Sequence, residues 1–259
     1  MKDIKDREIF SERIILEAGK LLLEFFEENL KIEKKGEIDL VTDADFASER
    51  FLKEEIGKKF PEDGVLGEER GEINGNNEYL WIIDPLDGTV NFSHAYPFFS
   101  ISIALQKHGD VVMGLVYDPI RNELFKGIKG EGGFLNGKRI KVSGIGRLID
   151  SMLATGFPYD IHESKDDTLE LFVRFVKSAQ AVRRDGSAAL DICYVAMGRF
   201  DGFWERRLKP WDTAAAKLIL EESGGIVSDF SGGKYSIFGD EILCSNGKIH
   251  SEMIKILKG

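Results

Sequence analysis

The chain divides into an α+β half over residues 1–145 and an α/β half over residues 146–259, and three observations predict this. Two amphipathic helical patterns open it, strands joined by Gly-containing turns follow, and beyond about residue 145 short strands alternate with helices. No spacing repeats at a fixed period, which excludes solenoid folds.

Taken in order, Ile14, Ala18, Leu21, Leu22 and Phe25 recur every three or four residues between Asp6 and Asn29, the pattern of a long helix packed on a core. Residues Lys31 to Leu40 form a polar connection, in which Lys34 and Lys35 suit solvent or a loop reaching a phosphate. Thr42 and Asp45 then make a capping-box-like start to a second helix, which carries Phe46, Leu52, Ile56 and Phe60 and ends before Pro61. Gly64 to Glu69 reads as a short strand ending in two acids, and Arg70 to Glu78 as a Gly/Asn-rich loop. Tyr79 to Ile83 is a buried strand. Phe99 to Leu105 and Val111 to Tyr117 are joined by a Lys107-His108-Gly109-Asp110 turn, and Asn136-Gly137 marks another hairpin, so an antiparallel meander is expected.

In the second half, strands at Met152 to Thr155, Ala181 to Arg183, Phe203-Trp204 and Ile226 to Ser228 alternate with helices over Thr168 to Ala179, Ser187 to Met197 and Pro210 to Glu222. Ile242 to Cys244 and a terminal helix from Lys248 close the chain. Pro210 suits a first helical turn and Gly224-Gly225 a helix stop.

The 259 residues are 42% hydrophobic and 31% charged, an ordinary globular balance, and the formal charge of −10 argues against a general nucleic-acid or membrane-surface binder. An anionic substrate remains compatible where divalent cations supply positive charge. The charged N-terminus has no signal-peptide core and no run of about eighteen apolar residues occurs, so a cytoplasmic protein is expected. Cys193 and Cys244 stand far apart in sequence and read as buried thiols. Scarce Gln beside abundant Lys and Glu fits a thermophile.

The chemistry lies in acids. There is no phosphate-binding G-x-x-x-x-G-K-[ST] loop, no G-x-S-x-G elbow and no H-E-x-x-H, and the four histidines are scattered. Asp45, Glu68, Asp84, Asp87 and Asp212 each stand at the end of an element or in a first helical turn. A carboxylate ending an apolar strand, as Asp84 does, costs on the order of several kcal/mol unless paired, hydrogen-bonded or metal-bound. On its own, Asp84-Pro85-Leu86-Asp87-Gly88 fits an Asx turn as well as a loop for Mg²⁺ or Mn²⁺. Asp45 as a cap and Asp212 as a partner for the helix dipole are equally local explanations.

Gly67-Glu68-Glu69, Trp81-Ile82-Ile83-Asp84-Pro85-Leu86-Asp87-Gly88-Thr89-Val90-Asn91-Phe92, Gly186-Ser187-Ala188-Ala189 and Trp211-Asp212-Thr213-Ala214 together resemble, in order and nearly end to end, the inositol monophosphatase family of Mg²⁺-dependent, lithium-sensitive phosphatases. The resemblance implies a layered α-β-α-β-α sandwich, with an antiparallel sheet plus two helices and then a smaller mixed sheet with helices. It also implies a ligand set: Glu68, Asp84 and the Leu86 carbonyl for one metal, Asp84, Asp87 and Asp212 for a second, and Glu68 for a weaker third. Asp45 and Thr89 would activate water. Gly88 and Thr89 would bind phosphate through backbone N–H groups, and Gly186, Ser187, Ala188 and Glu205 would line the alcohol, with Asp87 and Asp212 nearby. Lys34 matches a loop lysine, and Asp185 has no counterpart in the pattern.

The resemblance leaves several substrates: inositol monophosphate, fructose 1,6-bisphosphate, NADP or 3′-phosphoadenosine compounds. Arg183, Arg184, Arg206 and Arg207 flank the expected alcohol pocket as candidates for a second phosphate. The expected partner is a small phosphorylated polyol or sugar, with no nucleic acid or membrane, in a homodimer. Some relatives serve transcription antitermination through protein partners, which is a reading of another class.

Overall fold

Helix α1 (Lys2–Asn29) and helix α2 (Asp43–Lys59) lay Ile14, Ile15, Ala18, Leu22, Leu52 and Ile56 on one face of a sheet, each less than 1% exposed. The computed structural model describes residues 2–29, 43–69, 71–73, 75–76, 78–158, 161–163 and 166–259, so Lys34, Lys35 and the Thr42 cap lie outside the described residues. The first sheet contains β1 (Gly64–Gly67), β2 (Gly71–Ile73), β3 (Tyr79–Asp87), β4 (Ser100–Lys107), β5 (Asp110–Asp118), β6 (Glu123–Ile128), β7 (Gly132–Leu135) and β8 (Lys138–Arg139). Its strand order is β2-β1-β3-β4-β5-β6-β7-β8.

Both faces of this sheet are covered. Trp81, Ile83, Ile103, Leu105 and Leu115 point toward α1 and α2, while Ile82, Ala104 and Val116 point the other way, as the two-residue period of a strand requires. The second face receives α5 (Ala188–Ala196) and α6 (Pro210–Glu222). Helix α6 approaches closely at Gly114, where an added Cβ would stand 2.5 Å from the Ala215 carbonyl oxygen.

On the far side of α5 and α6 lies the second sheet: β9 (Met152–Thr155), β10 (Ala181–Arg183), β11 (Gly202–Arg206), β12 (Ile226–Ser228) and β13 (Glu241–Ser245), in the order β10-β9-β11-β13-β12. Pairs β10/β9 and β11/β9 are parallel and the two pairs with β13 antiparallel, so this smaller sheet is mixed. Its outer face is closed by α4 (Thr168–Ser178) and α7 (His250–Lys258) through Leu171, Phe175, Trp204, Met253 and Leu257. The layering is the expected α-β-α-β-α sandwich.

Several elements differ from expectation. Strand β3 does not stop at Ile83 but runs on through Asp87, with its ladder to β4 shifting register between Asp84 and Asp87. A short helix, α3 (Thr89–Ser93), follows it, and the Gly/Asn-rich loop contains β2. The meander is not wholly antiparallel: β1 runs parallel to β3, with Gly67 opposite Ile83. Other expectations hold. Asn136 and Gly137 turn their hairpin at φ 48° and 75°, as a tight primed turn requires, and Cys193 and Cys244 are buried free thiols. Among the described residues no helix is long and apolar enough to cross a membrane.

The strand bearing the acids is anchored from behind. Trp81 donates its indole N–H to Asp63 at 2.8 Å, and Arg7 donates to both oxygens of Asp63 at 2.9 and 2.7 Å. The Arg7 guanidinium also lies over the Phe60 and Tyr79 rings, at 4.3 and 4.0 Å. Buried charges paired in this way hold β3 in register, and removing one partner typically costs about 3–5 kcal/mol.

Candidate active site

Parallel pairing of β1 and β3 places Glu68, one residue past Gly67↔Ile83, beside Asp84. The register shift after Asp84 frees Pro85 and Leu86 from the ladder. The Pro85 carbonyl accepts from Ser48 Oγ of α2 at 3.0 Å, which draws the start of α2, with Asp45, against the strand end. Asp84 is 1% exposed, and its Oδ1 accepts from the Leu86 N–H at 3.0 Å. The Asx turn is therefore present, and it leaves the other carboxylate oxygen for another task.

Thr89 Oγ1 lies 3.3 Å from Asp45 Oδ1 and 3.1 Å from the Leu86 carbonyl oxygen. One hydroxyl proton serves one of them at a time. Gly88 has φ 96°, and a Cβ there would stand 3.1 and 3.2 Å from the Phe98 and Gly186 carbonyl oxygens. Both conformation and space demand glycine at this position.

The second half of the chain supplies the opposite wall. Ser187 caps α5, accepting from the Leu190 N–H, and donates its hydroxyl to Asp87 Oδ2 at 2.5 Å, where the Ala189 N–H also donates at 2.9 Å. Asp212 stands in the first turn of α6, where its Oδ2 accepts from the Lys209 N–H at 2.6 Å. These groups enclose a cavity of about 640 Å³ lined by Glu68, Asp84, Leu86, Asp87, Gly88, Thr89, Gly186, Ser187, Ala188, Glu205 and Asp212. Asp45 reaches this cluster through Thr89 and is 1% exposed.

The electrostatics are those of crowded acids. Burial, then the charges of Glu68, Asp87 and Asp212, push Asp84 well above the usual carboxylate range. Burial and Asp87 push Asp212 up to about 7. Burial pushes Asp87 up to about 6, against the hydrogen bonds from Ser187 and the Ala189 and Ala188 N–H groups, which favour its charged form. Lost hydration and then Asp212 raise Glu68, although its side chain still meets solvent at the cavity mouth. Among the described residues no three His, Cys, Asp or Glu side chains stand close enough together to hold a metal ion as they are placed. Each of these acids disfavours its neighbours' ionisation. All-oxygen anionic donors with uncompensated charge are the donor chemistry of hard divalent cations.

Three contributors were not recognised from sequence. Asn91 donates its amide to the Phe98 and Asp185 carbonyl oxygens, at 2.7 and 2.8 Å, tying α3 to the loop before Gly186. It lies inside the Asp-Gly-Thr-Val-Asn-Phe segment, which was its only signal. Asp185, unexplained by the motif, thus serves through its backbone. Gly156 leaves room for Glu205, since a Cβ there would stand 2.3 Å from the Glu205 carboxylate oxygens. Asp191 also lines the cavity and is 1% exposed.

Of the four arginines, Arg184, Arg206 and Arg207 line the cavity. Arg183 is exposed and bonds to its neighbour's carbonyl, so it does not belong to the wall. Arg206 pairs with Asp167 and Arg207 with Asp166.

The model of the inositol monophosphatase family matches residues 4–258. The chain belongs to the inositol monophosphatase family. It is 39% identical over 246 residues to an inositol-1-monophosphatase of Mesorhizobium japonicum, covering 94% of this chain and 92% of that protein. It is 40% identical over 245 residues to the Nus factor SuhB of Escherichia coli, covering 93% and 92% of the two chains. A solved inositol monophosphatase from Anabaena superposes with a TM-score of 0.89 at 41% identity, covering 99% of this chain and 96% of that one. The protein is accordingly a phosphatase, a phosphoric monoester hydrolase, of a metal-dependent family, and its substrate is a phosphorylated small molecule.

Proposed function

We propose that the protein is a Mg²⁺-dependent phosphomonoesterase that hydrolyses myo-inositol 1-phosphate by in-line attack of water. The observation that carries this reading is the gathering of Glu68, Asp84, Asp87 and Asp212 around one cavity, with Asp84, Asp87 and Asp212 pushed above the ordinary carboxylate range by burial and by one another. In this reading Glu68, Asp84 and the Leu86 carbonyl would hold one Mg²⁺, Asp84, Asp87 and Asp212 would hold a second, and Glu68 would help to hold a weaker third. Mn²⁺ suits the same donors. Cations bound there would neutralise phosphoryl oxygens, lower the pKa of water and stabilise the departing alkoxide.

The remaining work falls to the chain. Asp45 accepts the Thr89 hydroxyl proton, which turns a Thr89 Oγ1 lone pair toward an attacking water and gives that water's proton a path to Asp45. The Gly88 and Thr89 N–H groups donate to the phosphate, and Gly186, Ser187, Ala188 and Glu205 line the alcohol. Among the described residues no side chain is an evident nucleophile, and in this reading water attacks directly without a phospho-enzyme. Arg206 and Arg207, each paired with an aspartate, are poorer candidates for a second phosphate than Arg184. A cytoplasmic homodimer is the form this reading carries.

Likeness to Nus factor SuhB supports a second reading, a partner-binding protein with a vestigial site. A substrate panel separates the readings: kcat/KM with Mg²⁺ for myo-inositol 1-phosphate, fructose 1,6-bisphosphate, NADP and 3′-phosphoadenosine 5′-phosphate, each with and without EDTA and Li⁺. The proposal expects the inositol ester to lead, EDTA to abolish turnover and Li⁺ to inhibit. A different leading substrate overturns the alcohol assignment, and no turnover across the panel favours the second reading.

A further inference from the structure

Helix α5 is Ala, Leu, Ile, Cys, Tyr and Val except for one carboxyl group, Asp191. Asp191 is 1% exposed, and among the described residues its Oδ1 has no hydrogen-bond partner. Asp191 stands in the first turn of α5, where the dipole favours an acid by about 0.3–1 kcal/mol, but Ser187 already caps the N-terminus and the dipole gives Asp191 Oδ1 no hydrogen-bond donor. An orphaned buried oxygen costs about 1–3 kcal/mol, and an apolar residue of similar size avoids that cost. A polar orphan in the wall of a cavity points to a ligand atom that completes it.

The cavity identifies the kind of atom. Asp191 and Glu205 line the same cavity as Asp84, Asp87, Gly88 and Thr89, their charges interact, and Gly156 packs against Glu205. Burial, then Asp185 and Glu205, push the Asp191 carboxyl well above its ordinary range, and burial with Asp212 pushes Glu205 up to about 8. A protonated carboxyl both donates and accepts, as a hydroxyl does. Two such groups suit a neutral, hydroxylated ligand.

We propose that Asp191 is a specificity-determining residue, whose carboxyl group hydrogen-bonds a hydroxyl of the alcohol portion of the substrate beside Glu205. The inference rests on the phosphomonoesterase reading and deepens it, by assigning discrimination among alcohols to a residue of the cavity wall outside the proposed metal ligands. Polar pockets reject analogues lacking the matching hydroxyl strongly, because the pocket's own group is then left unpaired.

The test measures kcat/KM with Mg²⁺ for the full chain, Asp191→Leu and Asp191→Asn, on myo-inositol 1-phosphate and on phenyl phosphate, which has the same phosphate and no hydroxyl. Asp191→Leu, with Asp191→Ala in its place if the Leu variant does not fold, is expected to lose at least about tenfold on the inositol ester and less than about twofold on phenyl phosphate. Asp191→Asn, which keeps a donor and an acceptor, is expected to recover most of the inositol activity. Equal losses on both esters, or no loss on either, overturn the assignment. Failure of the phosphatase reading itself shows separately, as an unaltered protein that turns over neither ester.

Discussion

Ser187 Oγ donates to Asp87 Oδ2 at 2.5 Å, joining two residues 100 positions apart and fastening the second half of the chain to the strand that carries the acids. The bond favours the charged form of Asp87 against its burial. Ser187→Ala removes it, so on the proposed ligand set Asp87 would bind a cation more weakly. Loss of a hydrogen bond to a ligating carboxylate commonly weakens metal affinity by about 10–100-fold. The Mg²⁺ concentration for half-maximal activity is expected to rise by about tenfold or more, with kcat at saturation changing less. An unchanged Mg²⁺ requirement removes Asp87 from the ligand set.

Asp84 and Asp45 separate by effect. Asp84→Asn is expected to lose nearly all turnover while keeping the circular dichroism spectrum and cooperative melting of the parent, because the Asx turn to the Leu86 N–H survives with an amide oxygen. Activity recovered at saturating Mg²⁺ would sink the proposed assignment of Asp84 to both cations. Asp45→Asn is expected to lower kcat by about 10²–10⁴-fold, the usual worth of a positioned base, with little change in Mg²⁺ dependence. Steady-state kinetics over a Mg²⁺ series reads both.

Glu205 gives the cation-free protein a pH dependence of definite sign. Its carboxyl lies up at about 8, owing to burial and then Asp212, against an ordinary 4.5 when unfolded. The folded chain holds this proton between those values and the unfolded chain has released it, so stability is full below the unfolded value and falls as pH rises toward the folded one. Each group of this kind contributes a slope of up to about 1.4 kcal/mol per pH unit. Urea denaturation in EDTA at pH 6 and pH 8 is expected to show the loss, and Glu205→Gln to flatten it. An equal pH slope in that variant refutes the attribution.

Gly114 is the packing counterpart. A side chain there meets the backbone of Ala215 rather than a movable side chain, with 2.5 Å to its carbonyl oxygen. Gly114→Val forces α6 off the sheet, and overpacking of this kind costs about 1–3 kcal/mol. Because α6 begins with Pro210, Trp211 and Asp212, the same shift moves a site acid. Both the melting temperature and kcat are expected to fall; unchanged melting refutes the close approach.

Much of this was legible in sequence because local physics wrote it there. Period and turn residues gave the helices, the Asn136-Gly137 hairpin and the βα rhythm of the second half, and the placement of acids at element ends gave Glu68, Asp84, Asp87 and Asp212 as one chemical set. The loop after Arg70 and the continuation of β3 past Ile83 escaped, since Gly and Pro signals there read as breaks when the neighbouring strand in fact sustains the ladder. The direction of β1 escaped as well. Antiparallel and parallel partners present the same side-chain alternation, so a strand's residues do not state which way its neighbour runs.

What the amino-acid sequence determined by itself was therefore the inventory: the elements, the acids and the hydroxyls, each set by chemistry within a few residues. What only the tertiary structure decided was their meeting. Glu68 stands beside Asp84 because β1 and β3 run parallel, and Asp87 is steadied by Ser187 from the far half of the chain. Asp191, one acid in an apolar helix, becomes part of the cavity wall because α5 is packed between two sheets. Burial and proximity across long sequence separations create the raised proton affinities, and neither is a property of any local stretch.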